Sequence, residues 1–210
     1  AYSTKDNVFG LRLENSTNAT INTNTINANN IPYVQNVIIL DKSKGVNIAG
    51  NTLTGAKKHG INLTSSSASI SANTISGNKE NGIFCYKNST MTTNKNRITG
   101  NKKHGIFVNE CKGKSKISGD TIQSNKQCGI AVQKGNNVTI NSAKISKSGQ
   151  NGIYIFKKSK ATINKCTVSN NKKDGIYSTL SSTTNIKKGT VSKNSGNGIY
   201  YTNKAKGSIN

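Results

Sequence analysis

The chain has 210 residues, 31% of them hydrophobic, and its 30 Lys and Arg residues outnumber 7 Asp and Glu, which gives a net charge of +23. This length fits a single domain, and the sequence contains no apolar run of 18 residues, which excludes a membrane-spanning helix. The positive charge indicates polyanionic partners, because such a surface attracts polyanions and repels cations and other copies of itself.

Residues 1–9 come first and precede the repeat that fills the rest of the chain. We expect them to form a lead-in or part of a cap. The chain begins at Ala1 and stops at Asn210 within a repeat, so we expect it to be a piece of a longer protein.

A Gly-Ile pair recurs every 22 to 24 residues along most of the chain. Two degenerate copies, Gly10-Leu11 and Val37-Ile38, precede the regular ones. A period of this length is typical of a solenoid, in which each repeat is one coil. Residues 10–210 are therefore predicted to form nine coils, and the seven regular pairs begin at Gly60, Gly82, Gly105, Gly129, Gly152, Gly175 and Gly198.

Each coil is predicted to contain three short strands, because three aliphatic columns recur at fixed offsets from the glycine. Residues alternate with period two after each glycine, and the aliphatic residues are mostly β-branched, as strands favour. Three strands per turn close a triangular tube, an all-β parallel β-helix. The columns include Ile38, Ile61, Ile83, Ile106, Ile130, Ile153 and Ile176; Ile21, Ile48, Ile70, Ile117, Ile140 and Ile163; and Leu53, Ile75, Ile98, Ile122, Ile145 and Val168.

Two asparagine columns flank the third strand of each coil. Stacked amides can hydrogen-bond along the rod, and Asn tolerates the left-handed conformation that sharp corners need. We predict that these residues are structural. They include Asn51, Asn73, Asn96 and Asp120 in one column, and Asn78, Asn101, Asn125 and Asn171 in the other.

The repeat Asn-x-Ile-x-x-Asn followed by Asn-Gly-Ile resembles the right-handed parallel β-helix repeat of the pectate-lyase-like superfamily. The resemblance covers residues 10–210. It implies a right-handed, single-stranded parallel β-helix of the bacterial extracellular or surface type, hence a secreted or cell-surface location. Many functions share this scaffold, among them pectin and alginate lyases and mannuronan epimerases, so the resemblance implies the fold and does not select one activity.

The four cysteines occupy four different columns, so we expect no two to stack and all four to be free thiols, with Cys85 and Cys166 buried as small hydrophobic residues. No Cys or His spacing indicates zinc, and the acids do not cluster as a calcium site requires. We therefore predict no metal site and no cofactor, with calcium relevant only to a lyase.

Aromatic residues follow one another in the outward column of the Gly-Ile strand, and lysines border them. We predict a track on which the rings contact sugars and ammonium groups meet carboxylates or sulfates. The alternative is that the rings brace the sheet and the lysines confer solubility. The predicted ligand-binding residues are Phe84, Tyr86, Phe107, Tyr154, Phe156, Tyr177, Tyr200, Lys79, Lys102, Lys103, Lys126 and Lys173.

Catalytic residues are harder to assign. A lyase or epimerase needs a base and a group that neutralises the uronate carboxylate. His104, Lys103 and Asp174 are weak candidates, and an ordinary hydrogen-bonding role for His104 is the alternative. The sequence has neither a convincing pair of carboxylates for glycoside hydrolysis nor the Asp-Pro-His stretch of the epimerases.

These observations favour a non-catalytic carbohydrate-binding or adhesion module for an acidic polysaccharide or cell-wall polymer. The alternatives are a polysaccharide lyase or uronate C5-epimerase, and a structural stalk without a ligand. Nucleic acid would bind only through charge and without specificity. The glycan and the oligomeric state are left open.

Overall fold

The computed structural model describes residues 8–31, 33–111 and 113–210. Most of the predicted lead-in, residues 1–7, lies outside the described residues, and the first strand begins at Val8. The strands, in chain order, are β1 (Val8–Glu14), β2 (Thr20–Asn22), β3 (Thr25–Asn27), β4 (Val34–Asp41), β5 (Val46–Ala49), β6 (Thr52–Thr54), β7 (Ile61–Thr64), β8 (Ser67–Ser71), β9 (Thr74–Ser76), β10 (Ile83–Tyr86), β11 (Thr90–Asn94), β12 (Arg97–Thr99), β13 (Ile106–Asn109), β14 (Lys114–Ser118), β15 (Thr121–Gln123), β16 (Ile130–Gln133), β17 (Asn137–Asn141), β18 (Lys144–Ser146), β19 (Ile153–Ile155), β20 (Lys160–Ser169), β21 (Ile176–Ser178), β22 (Thr183–Ser192) and β23 (Ile199–Tyr201).

The strands stack into a parallel β-helix, which confirms the predicted fold class. One sheet, the first face, has nine strands in the order β1-β4-β7-β10-β13-β16-β19-β21-β23. The second and third faces carry the other strands, and β20 and β22 run through the corner between them, so that both faces belong to one 14-stranded sheet. Nine stacked strands on the first face correspond to about eight complete turns.

The core is the interior of the tube, filled by the predicted aliphatic columns. Ile61, Ile83, Ile106 and Ile130 are fully buried on the first face and pair with one another in register. Because β-branched side chains stack on their own copies, each coil covers the apolar surface of its neighbours. Within residues 8–31, 33–111 and 113–210, no helix is long and apolar enough to cross a membrane.

The recurring glycine is explained by a lack of space rather than by backbone conformation. A Cβ on Gly105 would lie 2.7 Å from the carbonyl oxygen of Gly129 and 2.9 Å from Nδ2 of Asn125, and it would also strike a methyl of Ile122. Any side chain there would push neighbouring coils apart, which costs about 1–3 kcal/mol in a packed interior.

The asparagine columns form hydrogen-bonded ladders, as predicted. The backbone N–H of Asn51 donates to Oδ1 of Asn73 at 2.8 Å, and that of Asn73 donates to Oδ1 of Asn96 at 2.9 Å. In the second ladder, the N–H of Asn78 donates to Oδ1 of Asn101 at 3.1 Å. Each N–H thus reaches a side chain one coil later in the chain, and buried corner groups are satisfied.

Asp120 replaces asparagine in the first ladder and is fully buried. Its Oδ1 accepts the backbone N–H and the Nδ2 of Asn96 at 2.7 and 2.8 Å, and its Oδ2 accepts the hydroxyl of Thr93 at 2.5 Å. Thr93 stands in an isoleucine column, between Ile70 and Ile117. Burial raises the pKa of Asp120, and these hydrogen bonds oppose the shift.

A serine ladder runs along the corner between the first and second faces. The N–H of Ser43 donates to Oγ of Ser66, and that of Ser66 donates to Oγ of Ser89, both at 3.0 Å. Ser159 donates to Ser182 in the same way at 3.2 Å. In the fifth coil this position is Cys111.

Candidate functional site

The aromatic residues of the first face form two stacks. In one, Phe84 lies 5.3 Å from both Tyr86 and Phe107, with interplanar angles of 12° and 21°. In the other, Tyr154, Tyr177 and Tyr200 follow one another at 5.1 and 5.3 Å, and Phe156 lies 4.2 Å from Tyr154. The register of the parallel strands produces both rows.

The near-parallel stacking determines what these rings can offer a ligand. Interplanar angles of 4° and 9° on either side of Tyr177 mean that both faces of this ring are covered by its neighbours. Inside a stack, only ring edges face outward. Flat contact with a sugar is therefore restricted to the ends of each row, such as Tyr200, which is 42% exposed.

Ala131 separates the two stacks. It pairs with Phe107 on one side and Tyr154 on the other, and it is fully buried. The track of aromatic residues predicted from the sequence is thus divided into two shorter rows.

A cleft of about 290 Å³, here called the histidine cleft, lies beside the first stack. It brings Phe84, Phe107, Lys103 and His104 of the predicted site residues together. The lining also includes His59, Glu80, Asn81 and Gln127, which the sequence analysis did not select.

Glu80 contacts both Lys103 and His59 in the histidine cleft. Its Oε1 lies 3.0 Å from Nζ of Lys103, and its Oε2 lies 3.5 Å from Nε2 of His59. Both histidine rings pack against aromatic rings, His59 at 4.7 Å from Phe84 and His104 at 5.0 Å from Phe107. The cleft thus combines an apolar wall with a carboxylate, an ammonium group and two imidazoles.

The histidines belong to a ladder just before the glycines. Nδ1 of His104 accepts the backbone N–H of Cys128 at 3.2 Å, and Nδ1 of His59 accepts that of Asn81 at 3.3 Å. Here each N–H reaches a side chain one coil earlier, opposite in direction to the asparagine ladders. An accepting Nδ1 leaves the proton of the neutral ring on Nε2.

Burial lowers the pKa of both histidines to about 4, with the positive charge of Lys103 acting in the same direction, while Glu80 opposes the shift at His59. Both rings are therefore neutral at pH 7, and Nε2–H of His104 is a hydrogen-bond donor. To serve as a base through Nε2, His104 would have to give up its bond to the N–H of Cys128.

The other predicted residues lie apart from the histidine cleft. Asp174 belongs to the same ladder as the histidines but three coils from His104, and its Oδ1 accepts the N–H of Asn197 at 2.8 Å. The remaining predicted lysines are exposed at the turns that lead into the first face: Lys79, Lys102, Lys126 and Lys173.

A larger cleft of about 880 Å³, here called the corner cleft, follows the first face in the last four coils. It is lined by Lys134, Gly135, Lys157, Lys158, Leu180, Ser181, Asn203 and Lys204. Two consecutive residues per coil, such as Lys157 and Lys158, adopt positive φ there, which opens the corner. Leu180 is 44% exposed, and Nζ of Lys157 lies 5.8 Å from the ring centre of Phe156 in the second stack.

The corner cleft is positively charged because its lining contains four lysines and no acidic residue. Lys134 forms an ion pair with Glu110. In the part of the chain that the structure describes, no carboxylate forms an ion pair with Lys157, Lys158 or Lys204. Three ammonium groups are therefore available to an anion.

All four cysteines are free, as expected, and the burial expected for Cys85 and Cys166 extends to Cys111 and Cys128. The expectation that no two of them approach each other is wrong, because Sγ of Cys85 and Sγ of Cys111 lie 2.8 Å apart. Residues of one column stack on one another, whereas this contact joins the strand of one coil to the corner of the next. Among the described residues, no group of three His, Cys, Asp or Glu side chains could hold a metal ion.

The profile of the family described as "Right handed beta helix region" matches residues 2–112 and 69–209. No curated protein sequence matches the chain. The periplasmic alginate epimerase AlgG has a similar fold, with a TM-score of 0.74 at 13% identity over 88% of this chain and 54% of that chain.

Two further solved structures share the fold. The A-module of mannuronan C-5 epimerase AlgE4 from Azotobacter vinelandii gives a TM-score of 0.72 at 12% identity, over 94% of this chain and 57% of that one. Pectate lyase Pel9A gives 0.64 at 10% identity, over 77% and 55%. This chain spans little more than half the length of each, and at such identities the likeness concerns the fold alone.

Proposed function

We propose that this chain, which belongs to the right-handed β-helix family, is a carbohydrate-binding module that holds an acidic polysaccharide outside the cell or at its surface. The observation that carries the proposal is the corner cleft, where Lys157, Lys158 and Lys204 line a large concave surface beside the second aromatic stack. A cell-wall polymer with carboxylate groups fits the same description.

The charge pattern supports a long anionic chain better than a small anion. Adjacent coils are about 4.8 Å apart, so lysines of successive coils present ammonium groups at intervals of that size or its multiples. Leu180 and the lysine methylenes offer apolar surface between them. The structural neighbours add support, because the names of three of them refer to alginate, pectate or mannuronan, all polymers of uronic acids.

Titration calorimetry with alginate, polygalacturonate and uncharged dextran tests the proposal. We expect binding to at least one uronate polymer, weakening as salt rises, and none to dextran. The double variant Lys158→Asn, Lys204→Asn should lower affinity at least about fivefold, since each lost contact is worth roughly 0.5–1 kcal/mol. Asn tolerates the positive φ of both positions.

The matched control is Lys95→Asn, Lys165→Asn. These two lysines are also exposed and also have positive φ, but they lie at the corner between the second and third faces. The variant removes the same charge without touching the corner cleft. Equal loss of affinity in both double variants would show that binding depends on net charge alone, and no binding to either uronate polymer would count against the proposal.

A polysaccharide lyase or uronate C5-epimerase is the second candidate, favoured by the histidine cleft. In this alternative, Lys103 and the Nε2–H of His104, which line the cleft with Phe107, neutralise the carboxylate of a bound uronate. Glu80 is the group of the cleft that can accept a proton without breaking a ladder. Calcium remains relevant only to this alternative.

Activity on alginate or polygalacturonate would be detected by the absorbance of unsaturated sugar ends for a lyase and by NMR of the uronate C5 configuration for an epimerase. If the histidine cleft is catalytic, Lys103→Ala should abolish the signal and His104→Asn, which preserves the ladder acceptor, should reduce it. Unchanged activity in both variants would exclude the cleft.

A stalk without a ligand is the third candidate, favoured by the face-to-face stacking of the first-face rings. Rings that cover one another brace the sheet whether or not a ligand binds. Under this hypothesis, Phe107→Ala and Tyr154→Ala should lower stability and leave every glycan titration unchanged.

A further inference from the structure

We propose that Cys85 and Cys111 are an oxidisable thiol pair that closes to a disulfide linking the fourth and fifth coils. Their sulfur atoms lie 2.8 Å apart, and a disulfide bond is about 2.05 Å long. Cys85 is fully buried in β10, and Cys111 is 8% exposed just after β13. Forming the bond brings the two sulfur atoms about 0.75 Å closer.

The serine ladder supplies an independent reason to regard Cys111 as a functional substitution. The equivalent positions Ser43, Ser66 and Ser89 point inward and accept a backbone N–H from the preceding coil. At Cys111, the sulfur lies 3.5 Å from the carbonyl oxygen of Asn109, as Oγ of Ser66 contacts that of Thr64, and it also contacts Cys85. A thiol is a weaker hydrogen-bonding group than a hydroxyl, so the contact with Cys85 gives a reason for cysteine at this corner that the corner bond alone does not.

The other two cysteines differ in this respect. Sγ of Cys128 lies 3.8 Å from Oε1 of Gln150, and Sγ of Cys166 lies 3.5 Å from the carbonyl oxygen of Ile140. Neither contacts a second sulfur among the described residues. They are matched internal controls, with similar burial and no contact with a second sulfur atom.

The oxidant we name is a low-molecular-weight disulfide such as oxidised glutathione. Cys111, the less buried of the two, attacks it as a thiolate, breaking its S–S bond, releasing one glutathione thiolate and retaining the other half as a mixed disulfide. The thiolate of Cys85 then attacks the sulfur of Cys111 and expels the second glutathione. The protein loses two protons and two electrons, and two glutathione thiols are formed.

The test compares the chain after incubation with oxidised glutathione and after reduction with dithiothreitol. Thiols are then labelled with N-ethylmaleimide in denaturant and counted by intact mass. We expect two labels after oxidation and four after reduction, with peptide mapping joining Cys85 to Cys111. Closing a loop of this length should raise the thermal midpoint by about 10 °C.

Two variants keep the test independent of folding defects. Cys111→Ser inserts the residue that the ladder carries at Ser66 and Ser89, and Cys85→Val inserts a residue that its column carries at Val108. Each should take up three labels under both conditions and show no oxidation-dependent shift, whereas Cys128→Ser and Cys166→Ala should retain the bridge. Four labels on the oxidised wild type, a link to another cysteine, or a midpoint no higher after oxidation would overturn the proposal.

Discussion

At the scale of single residues, Asp120 puts a carboxylate at a buried ladder position where the preceding coils have asparagine. An asparagine there could accept the same two bonds from Asn96 without burying a carboxylate. We expect Asp120→Asn to stabilise the protein by about 1 kcal/mol at pH 7, because a desolvated charge is removed.

The pH dependence of that gain follows from the raised pKa of Asp120. A carboxyl with a raised folded-state pKa binds its proton more tightly when folded, so its contribution to stability is lost as pH rises through that pKa. Thermal midpoints of wild type and Asp120→Asn should therefore converge below the pKa and separate above it. A gap that widened on acidification would contradict this account.

His59 and His104 lead to a second prediction, with the opposite sign. Their pKa values of about 4 lie below the usual 6.5, so the unfolded chain binds protons that the folded chain does not. Stability should be fully present above pH 6.5 and fall by a few kcal/mol as pH drops towards 4. The double variant His59→Asn, His104→Asn should flatten this fall in chemical denaturation between pH 4 and 7.

The sequence indicates His104 as a candidate and leaves a hydrogen-bonding role open, but it does not identify the partner, the backbone N–H of Cys128. The pattern shows that polar residues recur before the glycine. Whether an imidazole points to solvent or accepts a backbone N–H depends on where the backbone of the next coil lies along the rod axis, which the column pattern does not specify. The close contact between Cys85 and Cys111 could not be predicted for the same reason.

At the scale of elements, the aromatic stacks are the feature that links stability to the first face. Tyr177 contacts Tyr154 and Tyr200 at 5.1 and 5.3 Å. Each stacked pair contributes roughly 0.5–1.5 kcal/mol beyond area burial. We expect Tyr177→Ala to lower the free energy of unfolding by about 3 kcal/mol.

Tyr33→Ala is the control for this prediction. Tyr33 is 52% exposed, and its ring contacts the ammonium group of Lys57 at 5.7 Å. Its removal should cost less than about 1 kcal/mol. Equal losses in urea titrations of the two variants would show that ring stacking adds nothing to the stability of this face.

The positions of the strands could be predicted from the sequence because the period and the aliphatic columns determine which residues face the core. The corner cleft could not, although several of its lysines were visible beside the first face. Its depth comes from paired positive-φ residues in successive coils, and Leu180 and Lys204 carry no signal that distinguishes them from other turn residues.

At the scale of the whole molecule, the repeat makes a strong prediction about deletion. Removing residues 129–151, one complete coil, joins Cys128 to Gly152 and preserves every column. Because each coil contacts only its neighbours, the shortened chain should fold and lose only the stability of one repeat. It should also place Phe107 directly beside Tyr154 and fuse the two aromatic stacks.

Circular dichroism and thermal unfolding check this outcome. Deletion of residues 129–140, about half a coil, removes part of the same region. It displaces the following residues by half a coil, so that residues of one face fall at the position of another. We expect that chain to be unfolded or aggregated. Cooperative folding of the half-coil deletion would contradict a solenoid whose stability depends on the register between neighbouring coils.

The ladders run in both directions along the axis, with asparagine and serine corners accepting from the coil before and the histidine ladder from the coil after. A newly added turn that is threaded one residue out of step therefore forfeits several corner bonds at once and also turns its aliphatic side chains outward. Each completed coil therefore disfavours a next coil that is out of register. The register of the coils is determined locally and does not depend on either end of the rod.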